Sequence, residues 1–224
     1  VVYRKYGNLL AQLAKPVGRS AVSLDARSAE NRTRETNVGN LVTDSFRKAL
    51  GAEIALMNGG SVRADALIPA GRISIRDVLA ILPFKNKLVK IEITGATLKA
   101  ALEHGVSRTA PGAEPGGFPQ VSGVSFAFDA SKSPGSRVSD VKVKGQPLNQ
   151  NGKYTLATST FLALDGGDGY AMFKGSTIIL PPDKAPIDSE ALKRMFVGGK
   201  AIAPKVDGRI KRLDTAGKAA TDCK

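Results

Sequence analysis

Cysteine and histidine are almost missing from this chain, and tryptophan is absent: Cys223 and His104 are the single representatives in 224 residues. One cysteine excludes an intrachain disulfide. One imidazole excludes a zinc cluster or a di-metal centre built on several histidines. It also excludes a histidine-dependent catalytic triad unless His104 is the base. No apolar run approaches the roughly 20 residues that cross a bilayer. The segment Val1 to Leu13 carries Arg4, Lys5 and Tyr6 and lacks the uninterrupted apolar centre of a signal peptide. Beginning at Val, the chain reads as a processed product or a fragment of a longer parent. Aromatics make up 5%, and the net charge of +13 is spread without a block of like charges. Such a field favours anionic partners without naming them. A basic nucleic-acid-binding module stays open as an alternative, though it ordinarily shows a concentrated basic stripe and more aromatic surface.

What the sequence does have is 42% hydrophobic residues, enough for a real core, and 24 glycines that gather at two places. The first is Asn58-Gly59-Gly60-Ser61-Val62-Arg63, which follows the apolar run Ile54-Ala55-Leu56-Met57. Four β-competent residues and then Asn-Gly-Gly read as a strand that ends in a tight turn. Two residues without Cβ atoms let the backbone approach a ligand, and Arg63 adds a permanently charged fork suited to phosphate or carboxylate. A plain hairpin turn with a surface Arg is the other reading. The second place is Phe161-Leu162-Ala163-Leu164-Asp165-Gly166-Gly167-Asp168-Gly169-Tyr170. It lacks the acidic spacing and closing Glu of a calcium loop. It reads as a turn that presents one useful carboxylate, Asp168, or as a turn stabilised by its own Asp. Neither place carries the Gly-Lys-Ser/Thr of a Walker motif, which argues against a P-loop kinase or ATPase.

Periodicity supplies the frame. Residues 1 to 14 predict a helix with the stripe Leu9, Leu10 and Leu13. Residues 16 to 35 read as extended and polar. Asn37 is placed as the cap of a helix to Leu50, with Gly51 as its stop. Ser74 and Asp77 form a capping-box pattern before Ile75, Val78, Leu79 and Leu82. A strand over 88–93 leads into a helix that Thr94 starts, with His104 at its surface or margin. A loop over 108–120 precedes β segments at 121–128, 138–143 and 153–159, a helix near 188–197 and a short strand at 208–211. Phe84 and Phe161 each follow an element end beside a glycine-rich segment. Isolated phenylalanines are usually core. Face to face, the two rings would sandwich a planar base, roughly 1–3 kcal/mol for each stacked contact. The expected class is α+β.

Together these residues resemble the C-terminal, substrate-binding domain of the 5′-nucleotidase family, over about Val17 to Ile210. The likeness is carried by Arg32-Thr33-Arg34-Glu35-Thr36-Asn37-Val38-Gly39-Asn40-Leu41, by Asn58-Gly-Gly-Ser-Val-Arg63 and by Val78-Leu79-Ala80-Ile81-Leu82-Pro83-Phe84. It continues through Ile93-Thr94-Gly95-Ala96-Thr97-Leu98, the Phe161–Tyr170 loop and Asp207-Gly208-Arg209-Ile210.

The resemblance implies a four-layer α/β/β/α domain over residues 16–213, a linker helix over 1–15 and a polar tail over 214–224. It implies that Phe84 and Phe161 clamp a nucleobase and that Asn58 hydrogen-bonds it. Asp168 would accept from ribose hydroxyls, and Arg63 and Arg32 would face ribose and phosphate, with Arg34 as a less fixed companion. Gly60 and Ser61 would bring backbone close to the ligand. No catalytic residue and no cofactor is expected in this chain itself. Two divalent metals would belong to a preceding metallophosphoesterase domain, towards which this domain rotates. The expected ligand is a nucleoside or nucleotide, with no nucleic acid and no membrane as partner, and the expected location is periplasmic or secreted. The expected activity of the whole is 5′-nucleotidase/UDP-sugar hydrolase, or else 2′,3′-cyclic phosphodiesterase/3′-nucleotidase.

Overall fold

The computed structural model describes residues 2–214. Most of the expected 214–224 tail, with Cys223, therefore lies outside the described residues. The strand Ile54–Asn58 is buried along its whole length. Successive side chains of a strand point to opposite faces, so Ile54 and Leu56 enter one apolar cluster while Ala55 and Met57 enter another. This strand sits inside a five-stranded sheet. The order is Thr177–Leu180, Leu88–Thr94, Lys153–Ser159, Ile54–Asn58 and Pro119–Ser122.

On one face lie the helices Asn37–Leu50, Ile75–Ile81 and Asp188–Arg194. Val38, Leu41, Val42, Phe46, Val78, Ile81 and Leu192 fill the cluster there. On the other face the cluster joins a four-stranded sheet, Gln146–Pro147, Val138–Val143, Val124–Phe128 and Ile210–Arg212, with the helix Gly95–Val106. The fold is thus α+β in the expected α/β/β/α arrangement. The last helix reaches both sheets, since its Leu98, Ala101, Leu102 and Val106 share one cluster with Leu156 and Phe128.

Helix ends follow the sequence closely, with one correction. Thr36 rather than Asn37 is the cap of the long helix: its Oγ1 accepts from the Gly39 N–H at 2.9 Å. Asn37 turns away, where its Oδ1 accepts from the Asp25 N–H. Gly51 closes the helix in the left-handed region at φ 57°. The Ser74/Asp77 capping box is complete, and Thr94 caps Gly95–Val106.

Three expectations change. Residues 16 to 35 hold the strands Pro16–Ser20 and Leu24–Asp25 and the short helix Ser28–Asn31. The first N–H of that helix donates to Asp65, a partner that no local pattern reveals. The run 121–128 is two strands in two different sheets, broken at Gly123 with φ 74°. In the helix Val2–Leu13, Leu9 and Leu10 are exposed, so this part of its stripe is uncovered in the chain.

Candidate functional site

Sheet register explains why remote segments meet. The strands Ile54–Asn58 and Lys153–Ser159 run parallel, so their carboxyl ends emerge side by side. Asn58 opposes Pro119, and Ser159 opposes Leu88. Four loops therefore converge at one edge: Asn58–Arg63, Thr160–Tyr170, Phe84–Lys87 and Gly116–Phe118. Backbone bonds tie them together. Gly59 N–H donates to the Phe118 carbonyl at 2.6 Å, Gly60 N–H to the Gly116 carbonyl at 2.8 Å, and Thr160 N–H to the Lys87 carbonyl at 2.9 Å. The carboxyl ends of neighbouring parallel strands are where α/β-type sheets hold ligands.

Between these loops lies a cleft of about 400 Å³, lined by Arg32, Asn58, Gly60, Ser61, Arg63, Phe84, Asn86, Gly116, Phe161 and Asp168. Eight residues singled out in the sequence thus share one cavity. The ninth, Arg34, does not line it and pairs with Glu30 one helical turn away, while its carbonyl accepts from Gln120. Asn86 and Gly116 were missed. Neither stands in a distinctive pattern, and only strand pairing brings them to the edge.

Phe84 is 55% exposed and therefore no core residue. The Arg63 guanidinium lies 5.5 Å from its ring centroid, a cation–π contact that steadies both exposed groups. Phe161 follows the Ser159 cap in the short helix Thr160–Ala163 and is half-buried against the core. Its ring occupies the space that a Cβ on Gly167 would need, which accounts for glycine at that position.

The polar groups form a chain. Ser61 Oγ donates to Asn58 Oδ1 at 2.6 Å, and Asn58 Nδ2 donates to Asp168 Oδ2 at 2.6 Å. An amide has two N–H donors and two acceptor lone pairs. Asn58 therefore keeps one donor and one lone pair free of these two bonds. Arg32 is positioned from behind. Gly59 leaves the room in which the Asn31 carbonyl sits, and Gln120 Nε2 donates to that same carbonyl at 2.9 Å. Arg32 Nε is buried and has no hydrogen-bond partner in the structure. Arg32 as a whole is half-buried on the cleft wall, so its guanidinium is placed to donate to an oxygen in the cleft.

Asp168 stands in the left-handed region at φ 49°, which Asp tolerates better than most residues. Tyr170 behind it is fully buried and donates to the Gly117 carbonyl at 2.7 Å. Burial first, and the neighbouring Asp168 charge second, push its phenol above the ordinary range, so it remains a neutral donor. His104 lies at the margin of its helix as expected, half-buried and outside the lining of the cleft, and its Nε2 meets the Asp168 carbonyl at 2.8 Å. Among the described residues no three His, Cys, Asp or Glu side chains converge to hold a metal.

Residues 16–175 match the family described as 5′-nucleotidase, C-terminal domain. The chain is 37% identical over 210 residues to the trifunctional nucleotide phosphoesterase protein YfkN of Bacillus subtilis, which covers 88% of this chain and 14% of that one. It is 32% identical over 219 residues to the snake venom 5′-nucleotidase of Gloydius brevicauda, covering 88% of this chain and 36% of that one. Among solved structures it resembles a 5′-nucleotidase precursor from Thermus thermophilus. There the TM-score is 0.84 at 34% identity, over 95% of this chain and 42% of that one. The chain therefore belongs to the 5′-nucleotidase family, through its C-terminal domain. It spans less than half the length of these relatives.

Proposed function

We propose that this chain is the nucleotide-recognising domain of a nucleotidase that hydrolyses phosphate esters of nucleosides. Phe84 and Phe161 hold the base between them. Asn58, with one donor and one lone pair to spare, reads its edge. Asp168 accepts from ribose hydroxyls, and Arg32 and Arg63 take the phosphate side. The observation that carries this reading is the unpaired, buried Arg32 Nε on the wall of a cleft that also holds two aromatic rings and a carboxylate. A charged donor gains roughly 1.5–3 kcal/mol from an oxygen partner.

The chain's own work is to bind, orient and shield. Two divalent metals in a preceding domain would supply the activated water, and the helix Val2–Leu13, with Leu9 and Leu10 uncovered, is proposed as the connection to it. An extracytoplasmic location is part of the proposal, supported by the venom relative. Among the described residues no helix is long and apolar enough to cross a membrane.

The test is calorimetric titration of adenosine and AMP into the chain and into a Phe84→Ala/Phe161→Ala double variant. Binding that the variant loses while staying folded supports the clamp, and equal binding in both overturns it. Alone, the chain turns over nothing; a metal-dependent phosphatase rate above a heat-killed control refutes that. A second reading of the same cleft is a 2′,3′-cyclic phosphodiesterase/3′-nucleotidase, which places the phosphate elsewhere on the same nucleoside. Tighter binding of 3′-AMP than of 5′-AMP would favour it.

A further inference from the structure

We infer that His104 is the positioning residue for Asp168, and that through it the helix Gly95–Val106 sets the site's discrimination for an intact ribose diol. The inference rests on the nucleoside reading of the cleft.

Asp168 needs external support. Gly166, Asp168 and Gly169 have φ of 68°, 49° and 87°, and inside the loop a single tight turn braces Asp168, with Gly169 N–H donating to the Gly166 carbonyl and Tyr170 N–H to the Gly167 carbonyl, both at 3.1 Å. One restraint acts on the carboxylate, the Asn58 Nδ2 bond at 2.6 Å. The other acts on the backbone, where His104 Nε2 meets the Asp168 carbonyl at 2.8 Å. A carbonyl only accepts, so Nε2 carries the proton. The His104 ring also packs edge-on against Tyr170, with centroids 5.0 Å apart and planes at 75°. A Cβ on Gly169 would stand 2.6 Å from His104 Cε1, so the loop lies directly on the imidazole.

The support is rigid because the helix is. Glu103, next to His104, is buried and accepts from the Arg137 and Val138 N–H groups at 3.0 and 2.9 Å. Leu98, Ala101 and Leu102 lock the same helix into the core. His104 thus transfers the rigidity of a core helix to an irregular loop, at the residue whose carboxylate meets the sugar. Loss of the Nε2 donor lets the Asp168 backbone relax and lowers the fraction of time its carboxylate is correctly aimed. Phe84 and Phe161 stay where they are. A positioning role therefore predicts a loss that depends on the ligand's hydroxyls, whereas a general structural role predicts an equal loss for every ligand.

The experiment titrates adenosine and 2′,3′-dideoxyadenosine into the wild-type chain, His104→Phe and His104→Gln, each checked for folding by circular dichroism. Phe keeps the ring and its Tyr170 contact without the donor, while Gln keeps an amide donor at similar reach. Expected is a loss of about 10-fold in adenosine affinity for His104→Phe, with dideoxyadenosine changed by less than about 2-fold, the scale of one hydrogen bond. His104→Gln should return adenosine to within about 3-fold of wild type. If His104→Phe does not fold, His104→Asn, one methylene too short, carries the same comparison. Equal losses for both ligands, or a wild-type preference for adenosine that the variants keep, overturn the inference alone. A wild-type chain with no preference for adenosine overturns the ribose role of Asp168, and the inference with it.

Discussion

Arg32→Met separates binding from stability at one position. Arg32 is half-buried, and its buried Nε makes no hydrogen bond within the chain, so that atom contributes no intramolecular bond to the folded state. Methionine keeps the length and most of the apolar stem and removes no hydrogen bond of Nε. The backbone is untouched, because the Arg32 N–H donates to the Ser28 carbonyl at 3.1 Å whatever the side chain. Stability should therefore stay within about 0.5 kcal/mol of wild type or rise. Binding should change the other way. A hydrogen bond from a charged donor contributes roughly 1.5–3 kcal/mol, which is about 10- to 150-fold in affinity. On the proposed reading Arg32 takes the phosphate side, so the loss should fall more heavily on AMP than on adenosine. Chemical denaturation gives the first quantity, and calorimetry with both ligands gives the second. A variant destabilised by more than about 1 kcal/mol with an unchanged AMP-to-adenosine ratio would show that Arg32 is a structural residue and would refute the reasoning.

Three further outcomes follow from the same structure. Asp188 is buried and accepts from the Ser189 and Asn86 N–H groups, and burial raises its carboxyl from 3.8 to about 6. A raised carboxyl makes the folded state bind the proton more tightly, so its contribution is present below pH 4 and lost as pH rises towards 6, by about 3 kcal/mol in all; unfolding curves at pH 4 and 8 should show this decline in wild type and not in Asp188→Asn. Gly167→Ala should push the Phe161 ring out of its seat, weakening adenosine by about 10-fold, part of a stacking contribution of roughly 1–3 kcal/mol, and, because that ring also packs on the core, lowering the melting temperature by a few degrees, about 1 kcal/mol; calorimetry beside a thermal melt decides it. Glu35 is buried and accepts from Asn40 Nδ2 and from the Asp207 and Ile210 N–H groups, so Glu35→Ala strands three donors and should cost about 3 kcal/mol or more, a fall of roughly 10 °C that differential scanning calorimetry would detect.

Legibility in the sequence followed the range of the interaction. The Ser74/Asp77 box and the Gly51 stop lie within four residues of what they control, and local chemistry is enough to read them. The buried strand Ile54–Asn58 was legible because an apolar run that stops at Asn-Gly-Gly has few other uses. Thr36 displaced Asn37 as cap for a reason local chemistry hides, because Asn37 is drawn to the Asp25 N–H and the Ser23 carbonyl of a neighbouring segment. The run 121–128 looked like one strand because Val124, Phe126 and Phe128 alternate and the residues before them are β-competent, although a left-handed Gly123 sends the chain into another sheet. Arg34 reads like Arg32 in sequence, yet a Glu30 four residues earlier pulls it aside. His104 was placed at a helix margin because periodicity describes which face a residue takes and says nothing of a loop arriving sixty-four residues later.

The same contrast explains why recognition groups are assembled at this edge. Four loops from distant parts of the sequence are fixed in position by two register pairs, Asn58 opposite Pro119 and Ser159 opposite Leu88. Ile54, Leu56 and Leu156 hold the strands in the core whose ends present these loops. Phe84 is exposed and Arg32 Nε is unpaired, and neither arrangement improves the stability of the chain. Departures of that kind from what stability favours are expected where a surface is built for something outside itself. Their meeting in one cleft, beside a carboxylate held by an amide on one side and an imidazole on the other, is what points to a ligand with an aromatic face, hydroxyls and a negative charge.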